Sequence, residues 1–286
     1  MRIPDRILNI VEKQLDADCG IGADRGNTVT TENKTVICRA PRFPEKRYLT
    51  DAAYGELLRE RMEKESGNEP RVYEGQDLFF RGIVCMGRVR ILAAQEIFGW
   101  CVKEFGTLKH PEWLCQFSGL RRLDQLLSRY GRKIEDVRLN FLPSGETPEE
   151  IPEGRLPFEL RWLEEGELAD RRELRAFRHA VCGSGLTPDV LAAAALLDGR
   201  IVGMAGATRD GGLLRQIGVD VDEAQRGKGM AAALVGILKN EILRRGEIPF
   251  YGVSQSHILS MNTAVSAGFL PAWTEIYAAA STKTER

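Results

Sequence analysis

Residues 219–235 read VDVDEAQRGKGMAAALV, and inside them two glycines, Gly227 and Gly229, alternate with two cations, Arg226 and Lys228. That composition suits an anion. Glycine lets a guest approach the backbone, and a helix that follows such a loop offers the unpaired N–H groups of its first turn at the positive end of its dipole. A phosphate is the expected guest. Just upstream, LLRQIGVDV carries Gln216, which cannot act as a base, and Asp220, which can.

Several phosphate-binding patterns combine a strand, a glycine loop and a helix, and they space their residues differently. A P-loop requires G-x-x-x-x-G-K-[ST], but here the lysine precedes the second glycine and Met230 follows it. A dinucleotide fingerprint, G-x-G-x-x-[GA], is met by Gly227, Gly229 and Ala232. Its context is wrong, because Asp222 to Arg226 intervene after the strand and the preceding strands read as hairpins where parallel crossovers are needed. The acidic partner expected about twenty residues on, Glu247, stands before the next strand and not at its end. A third pattern, R-x-x-G-x-[GA], is met by Arg226, Gly229 and Ala231.

The elements that would position this loop follow from periodicity and turn chemistry. PFELRWL alternates as a strand, and GELADRRELRAFRHAV has a helical pattern. Residues 188–221 then contain three strands joined at Asp198-Gly199 and Asp210-Gly211-Gly212, both short-hairpin signals. After the loop, Met230, Leu234, Ile237, Leu238 and Ile242 form one face of a helix that Gly246 stops. A strand IPFYGVS, a shorter helix through HILSMNTAVSA ended by Gly268, and a last strand FLPAWTEIYA complete an order of β, α, β-β-β, α, β, α, β.

Upstream, PSGETPEEIPEGRLP (143–157) packs prolines, glycines and glutamates into a run that neither a helix nor a central strand accepts. The expected organisation is an N-terminal α+β domain over 1–145, a linker over 146–157 and a second domain over 158–286. In the first, 3–15 and 50–65 read as helices, TVICRA as a strand, RVRILAAQEIFGWCVKEFG as a buried helix closed by Gly106, GLRRLDQLLSRYG as a helix and IEDVRLNFLP as a strand. It carries no catalytic signature, and its Trp100 and Trp113 read as core packing.

Composition bounds the partners. Forty basic against forty-one acidic residues leave a formal charge of −1, so no global field favours nucleic acid or an anionic membrane. No apolar run reaches membrane-spanning length and the N-terminus lacks a signal-peptide block, so cytoplasmic residence is expected. Cys19, Cys38, Cys85, Cys101, Cys115 and Cys182 form no CxxC, and with His110, His179 and His257 as the only histidines they read as reduced, mostly buried thiols and no metal site.

The R-x-x-G-x-[GA] loop, its strand order and the Gly268-Phe269 segment together resemble the GNAT superfamily of acyl-CoA-dependent N-acetyltransferases. The resemblance covers about residues 155–280 and is similar to bacterial GNAT proteins with an extra N-terminal domain. It implies a mixed, largely antiparallel sheet with a splayed pair of strands, and acetyl-CoA as co-substrate with no metal. It places the pyrophosphate on Arg226, Gly227, Lys228, Gly229, Met230 and Ala231. It lays the pantetheine arm along the strand edge of Ile217, Val219 and Val221, with His257 and Ser260 as further coenzyme contacts. His257 reads equally as a helix cap or a surface histidine.

The family's strand glutamate, a frequent base, has no counterpart here, which leaves Asp220 as the candidate beside the plainer reading of a solvated strand-end aspartate. The family's tyrosine four residues before the glycine of the last helix falls on Ala264. Tyr251 is then the candidate acid, with Tyr277 as the other tyrosine, unless the thiolate leaves unaided. Arg171, Arg172, Arg175 and Arg178 lie where an acceptor wall is implied, and read also as a solvated helix face. The expected partner is an amine-bearing acceptor, and assembly as a homodimer is carried as an expectation. The expected activity is N-acetyl transfer by direct attack of an amine on the thioester. The competing class is an acyl-CoA-binding sensor or scaffold without turnover, with a nucleotide oxidoreductase third.

Overall fold

The computed structural model describes residues 2–22, 28–32, 34–40, 53, 55–57, 59–60, 69–73, 78–148, 156–168, 174 and 176–281. In chain order its principal elements are α1 (Asp5–Asp18), β1 (Thr28–Thr30), β2 (Thr35–Arg39), β3 (Phe80–Cys85), β4 (Arg88–Ala93), α2 (Gln95–Phe105), α3 (Phe117–Ser128) and β5 (Arg132–Pro143). After these come β6 (Glu159–Glu164), β7 (Asp189–Leu197), β8 (Arg200–Asp210), β9 (Leu214–Val221), α4 (Met230–Arg244), β10 (Ile248–Ser254), α5 (Ile258–Ser266) and β11 (Phe269–Ala280). The class is α+β with mixed sheets.

The chain forms two compact units, one of Met1–Asn9 and Asn140–Pro271, the other of Ile10–Leu139 and Ala272–Arg286. The division runs within α1, β5 and β11. The sequence reading instead separates 1–145 from 158–286, because a linker is a local signal, whereas the pairing of β11 from Trp273 onward with β3 is not.

In the N-terminal unit, β2 pairs β4 in parallel, and β4, β3 and β11 follow antiparallel. One face carries Ile37, Phe80, Ile91 and Ile276 against Ile97, Cys101 and Phe105 of α2 and Leu123 and Leu127 of α3. Elsewhere in the unit lies buried charge: Glu275 accepts from Arg71 Nη2 (2.9 Å) and Arg81 Nε (2.7 Å), and Asp18 accepts from Arg71 Nε (2.6 Å). The single helix expected over 88–106 is a strand followed by a helix. Residues 88–93 are a strand, because Met86 and Gly87, with φ of 46° and 75°, turn the chain back on β3, and the helix starts only at Gln95. The helix expected at 50–65 falls largely outside the described residues.

In the unit that holds the glycine loop, β6, β7, β8 and β9 are successive antiparallel neighbours. β9 then pairs β10 in parallel, and the end of β5 lies next in order. Both expected hairpin turns form, and Asp198 and Gly199 take φ of 49° and 74°. Small residues govern what packs on this sheet. A Cβ on Gly203 would lie 2.9 Å from Met230 Sδ and 3.1 Å from a Leu234 methyl, so α4 rests directly on β8. Ala180 joins Leu163, Leu174, Phe177, Ala192, Ala194 and Met204 in a second cluster. The helix expected over 166–181 is also corrected: among the described residues only Glu165–Leu168 is helical, and 178–180 are turn.

Candidate functional site

The glycine loop sits between β9 and α4 as the spacing requires. After a 3-10 turn at Glu223–Gln225, Gly227 and Gly229 take φ of 75° and 80°, and Gly229 becomes the N-cap of α4. No side chain caps the helix, and its backbone ladder begins with Ala233 N–H donating to Gly229 O at 3.0 Å. The N–H groups of Met230, Ala231 and Ala232 are therefore first-turn donors without an intrahelical acceptor. Residues 226–229 are exposed, and beyond each glycine a Cβ would find no atom within 4 Å. Arg226 Nε donates to Val221 O at 3.4 Å, and Lys228 Nζ to Gln225 Oε1 at 3.0 Å, which keeps both cations beside the open helix end. Met230 differs from its neighbours, because its side chain is buried against Gly203 and only its backbone can serve a ligand.

The strand edge beside this loop is the second feature. Parallel pairing joins Leu214, Arg215 and Gln216 to Ile248, Pro249 and Phe250. The register carries no further partners on β10 for Ile217–Val221 among the described residues. Ile217 is buried, Val219 and Val221 half-buried. Gly252, two residues past the last pair, has Asn140 Oδ1 only 2.8 Å from where a Cβ would stand, with Gln216 Nε2 at 3.7 Å.

Asp220 is engaged on both oxygens. Oδ2 accepts from the backbone N–H of His179 (2.7 Å) and of Ala180 (3.0 Å), and Oδ1 lies 2.7 Å from His179 Nδ1. The chain at 179–180 lies directly on the face of the sheet beside Asp220, where two glycines leave room for it. Gly206 and Gly218 face each other across β8 and β9, and a Cβ on them would stand 1.8 Å from Ala180 O and 1.7 Å from His179 O. Nothing larger than glycine fits there.

Tyr251 on β10 is buried, and its hydroxyl lies 3.0 Å from Ser260 Oγ. Burial pushes its phenol above the usual range; the Ser260 hydrogen bond opposes this and the nearby Asp220 charge adds to it. The site thus brings together Asp220, Tyr251 and Ser260 from the sequence reading and adds His179, which that reading overlooked. The one available signal was the pair of glycines opposed by the Asp210–Gly212 hairpin. It marks a close approach but not the segment that fills it.

Other candidates are placed elsewhere. His257 is the exposed N-cap of α5 with no side-chain capping bond. Ala264 is fully buried, and Tyr277 belongs to the N-terminal unit, where the Arg138 guanidinium lies over its ring. Arg171, Arg172 and Arg175 lie outside the described residues, and Arg178 is exposed. Trp100 packs edge-on against Phe105, but Trp113 is half exposed and stacks on His110, so the core expectation does not extend to it. Four cysteines are buried and Cys182 is exposed. Among the described residues no group of His, Cys, Asp or Glu is placed to hold a metal, and no helix is long and apolar enough to cross a membrane.

No family model matches the chain, and no curated protein does. Among solved structures, a GCN5-related N-acetyltransferase from Sphaerobacter thermophilus is similar at 17% identity, over 69% of this chain and 76% of that one, with a TM-score of 0.41. A GCN5-related N-acetyltransferase-like protein from Streptococcus suis is similar at 14% identity, over 87% and 82%, with a TM-score of 0.37. An acetyltransferase from the GNAT family of Colwellia psychrerythraea is similar at 12% identity, over 57% and 63%, with a TM-score of 0.38.

Proposed function

We propose that this chain is a GNAT-type N-acetyltransferase that moves an acetyl group from acetyl-CoA to an amine of a small molecule, peptide or protein. One observation carries the reading: a left-handed glycine pair opens the uncapped end of α4 at the point where β9 has run past its pairing with β10. The donors suit a pyrophosphate, with three first-turn N–H groups and the side chains of Arg226 and Lys228. The backbone edge of Ile217–Val221 suits the amides of a pantetheine arm, which would add as a strand does. Ser260, in the first turn of α5, holds the Tyr251 hydroxyl on β10, and His257 caps the same helix as an exposed side chain.

Each residue then has a role in the transfer. Gly227 and Gly229 admit the phosphates, and the β9 backbone orients the thioester. Tyr251, kept protonated by burial, gives its proton to the departing sulfur. The proton that the amine must lose goes to the Asp220–His179 pair. An alkylammonium with a pKa of about 10.4 is only about 0.04% neutral at pH 7, so a base adjacent to the nucleophile matters.

A coenzyme-binding module without turnover is the second reading, favoured by the buried Ala264 and by Gln216 where an acid and a base would stand. Calorimetry with acetyl-CoA followed by thiol release with an amine panel separates the two. Gly229→Asp should abolish binding, while Gly229→Asn, which tolerates the same backbone conformation without the charge, should weaken it no more than about tenfold. Equal affinities in the two variants would remove the pyrophosphate from this loop.

A further inference from the structure

We infer that His179 is the general base of this site and that Asp220 is its positioning residue. The inference rests on the acetyltransferase reading and deepens it. Both Asp220 oxygens are already engaged, Oδ2 by two backbone N–H groups and Oδ1 by His179 Nδ1, whereas the imidazole has a second nitrogen. A carboxylate only accepts, so Nδ1 carries the hydrogen between them. The ring's free lone pair is then on Nε2, and the His179 side chain is 83% exposed while Asp220 is 19% exposed. An oriented imidazole with an open nitrogen is what a bound ammonium needs.

Three constraints hold the ring there. The backbone of 179–180 is seated on the Gly206–Gly218 pair, its N–H groups are tied to Asp220, and Nδ1 is tied to the same carboxylate. Tyr251 on the neighbouring strand β10, held by Ser260, has its phenol raised first by burial and then by the Asp220 charge, so Asp220 lies within electrostatic reach of it.

The proton count closes. His179 Nε2 takes one proton from the acceptor's ammonium, and the freed lone pair on nitrogen forms the C–N bond to the acetyl carbon. The C–S bond breaks with its electron pair on sulfur, and Tyr251 O–H protonates that sulfur. The new amide's excess proton and the one held on His179 Nε2 both pass to solvent, from which Tyr251 recovers its own, so one ammonium and one acetyl-CoA give one amide, one free thiol and one net proton.

The test uses the full chain, acetyl-CoA, and spermidine, lysine amide and a peptide with a free α-amine as acceptors. His179→Ala should bind acetyl-CoA within threefold of wild type and lose at least about 100-fold in kcat/KM at pH 7. The deficit should shrink by pH 9.5, where about a tenth of an alkylamine of pKa about 10.4 and nearly all of a peptide α-amine is already neutral. Added imidazole should restore part of the rate. Asp220→Asn keeps an acceptor for the 179–180 amides but turns an N–H toward Nδ1, which forces the hydrogen onto Nε2; its loss should match that of His179→Ala.

Wild type that fails to bind acetyl-CoA sinks the acetyltransferase reading and the inference together. Binding with no thiol release on any of the three amines favours the coenzyme-binding module and removes both, whereas turnover that His179→Ala leaves within threefold overturns the inference alone. A deficit that is equal at pH 7 and pH 9.5 and is not relieved by imidazole, or a loss of coenzyme affinity, also overturns it, because either marks a structural role.

Discussion

Replacing Gly218 with alanine tests the glycine seat directly. The added Cβ would stand 1.7 Å from His179 O and 2.7 Å from its carbonyl carbon, whereas real Cβ contacts almost never fall below 3.0 Å. The His179–Ala180 backbone must therefore withdraw by roughly 1.3 Å, the difference between 3.0 and 1.7 Å. The hydrogen bonds to Asp220 Oδ2, now 2.7 and 3.0 Å, then stretch past useful length. Charge-assisted bonds at about 1.5–3 kcal/mol each and overpacking strain of about 1–3 kcal/mol oppose only a small gain in strand preference, and partial relaxation leaves a net cost of about 2–4 kcal/mol. Calorimetric unfolding should show the midpoint of this unit lowered by roughly 5–15 °C. Gly206→Ala, with its Cβ 1.8 Å from Ala180 O, should behave alike. Gly236→Ala, in the interior of α4 with no atom within 4 Å of its Cβ, should be neutral or stabilising by about 0.5–1 kcal/mol. Should Gly218→Ala unfold within 2 °C of wild type and keep its turnover, the 179–180 segment is not seated on the β8–β9 backbone.

Two further outcomes concern stability. Lys239, buried on α4, donates from Nζ to Ala267 O at the end of α5 at 2.8 Å; Lys239→Met should cost about 1.5–3 kcal/mol by denaturant titration and leave acetyl-CoA affinity unchanged. In the N-terminal unit, burial would raise the Glu275 carboxyl, but the guanidinium groups of Arg71 and Arg81 outweigh it and hold it at about 2. The folded value lies below the unfolded one of about 4.3, so Glu275 stabilises fully above that pH and its contribution of about 3 kcal/mol is lost as pH falls toward 2. Glu275→Gln should destabilise by about 3–5 kcal/mol at pH 7 and flatten the stability profile between pH 4.5 and 2; an unchanged acid limb would assign that limb to other groups.

The parts that were legible in the sequence are those with local causes. Asp198-Gly199 announces a tight hairpin because both residues accept positive φ, and the α4 face is spelled by Met230, Leu234, Leu238 and Ile242 before Gly246 ends it. The Arg226–Gly229 loop was readable for the same reason. What escaped was set by distant partners. Met86-Gly87 is a weak turn signal, and the apolar run after it fits a buried strand or a buried helix equally, so β4 reads as the start of a helix. The parallel pairing of β2 with β4 and the seat of β5 beside β10 leave no trace in periodicity. Asp220 was visible as a carboxylate on the right strand, but its partner His179 lies forty-one residues upstream and meets it only over two opposed glycines.

That meeting couples folding to chemistry in one side chain. Asp220 fastens the 179–180 backbone with one oxygen and orients the imidazole with the other, so removing the carboxylate outright would lose both functions and reveal neither. The two can be separated because they use different atoms. Asp220→Asn keeps one oxygen for the backbone while reversing the polarity toward Nδ1, and Gly218→Ala displaces the backbone while leaving the carboxylate intact. If His179 acts as a base, the first change should lower turnover as far as His179→Ala does, well beyond its loss of stability, and the second should lower stability and turnover together. If the Asp220–His179 contact serves only to close the fold, turnover should follow stability in both variants.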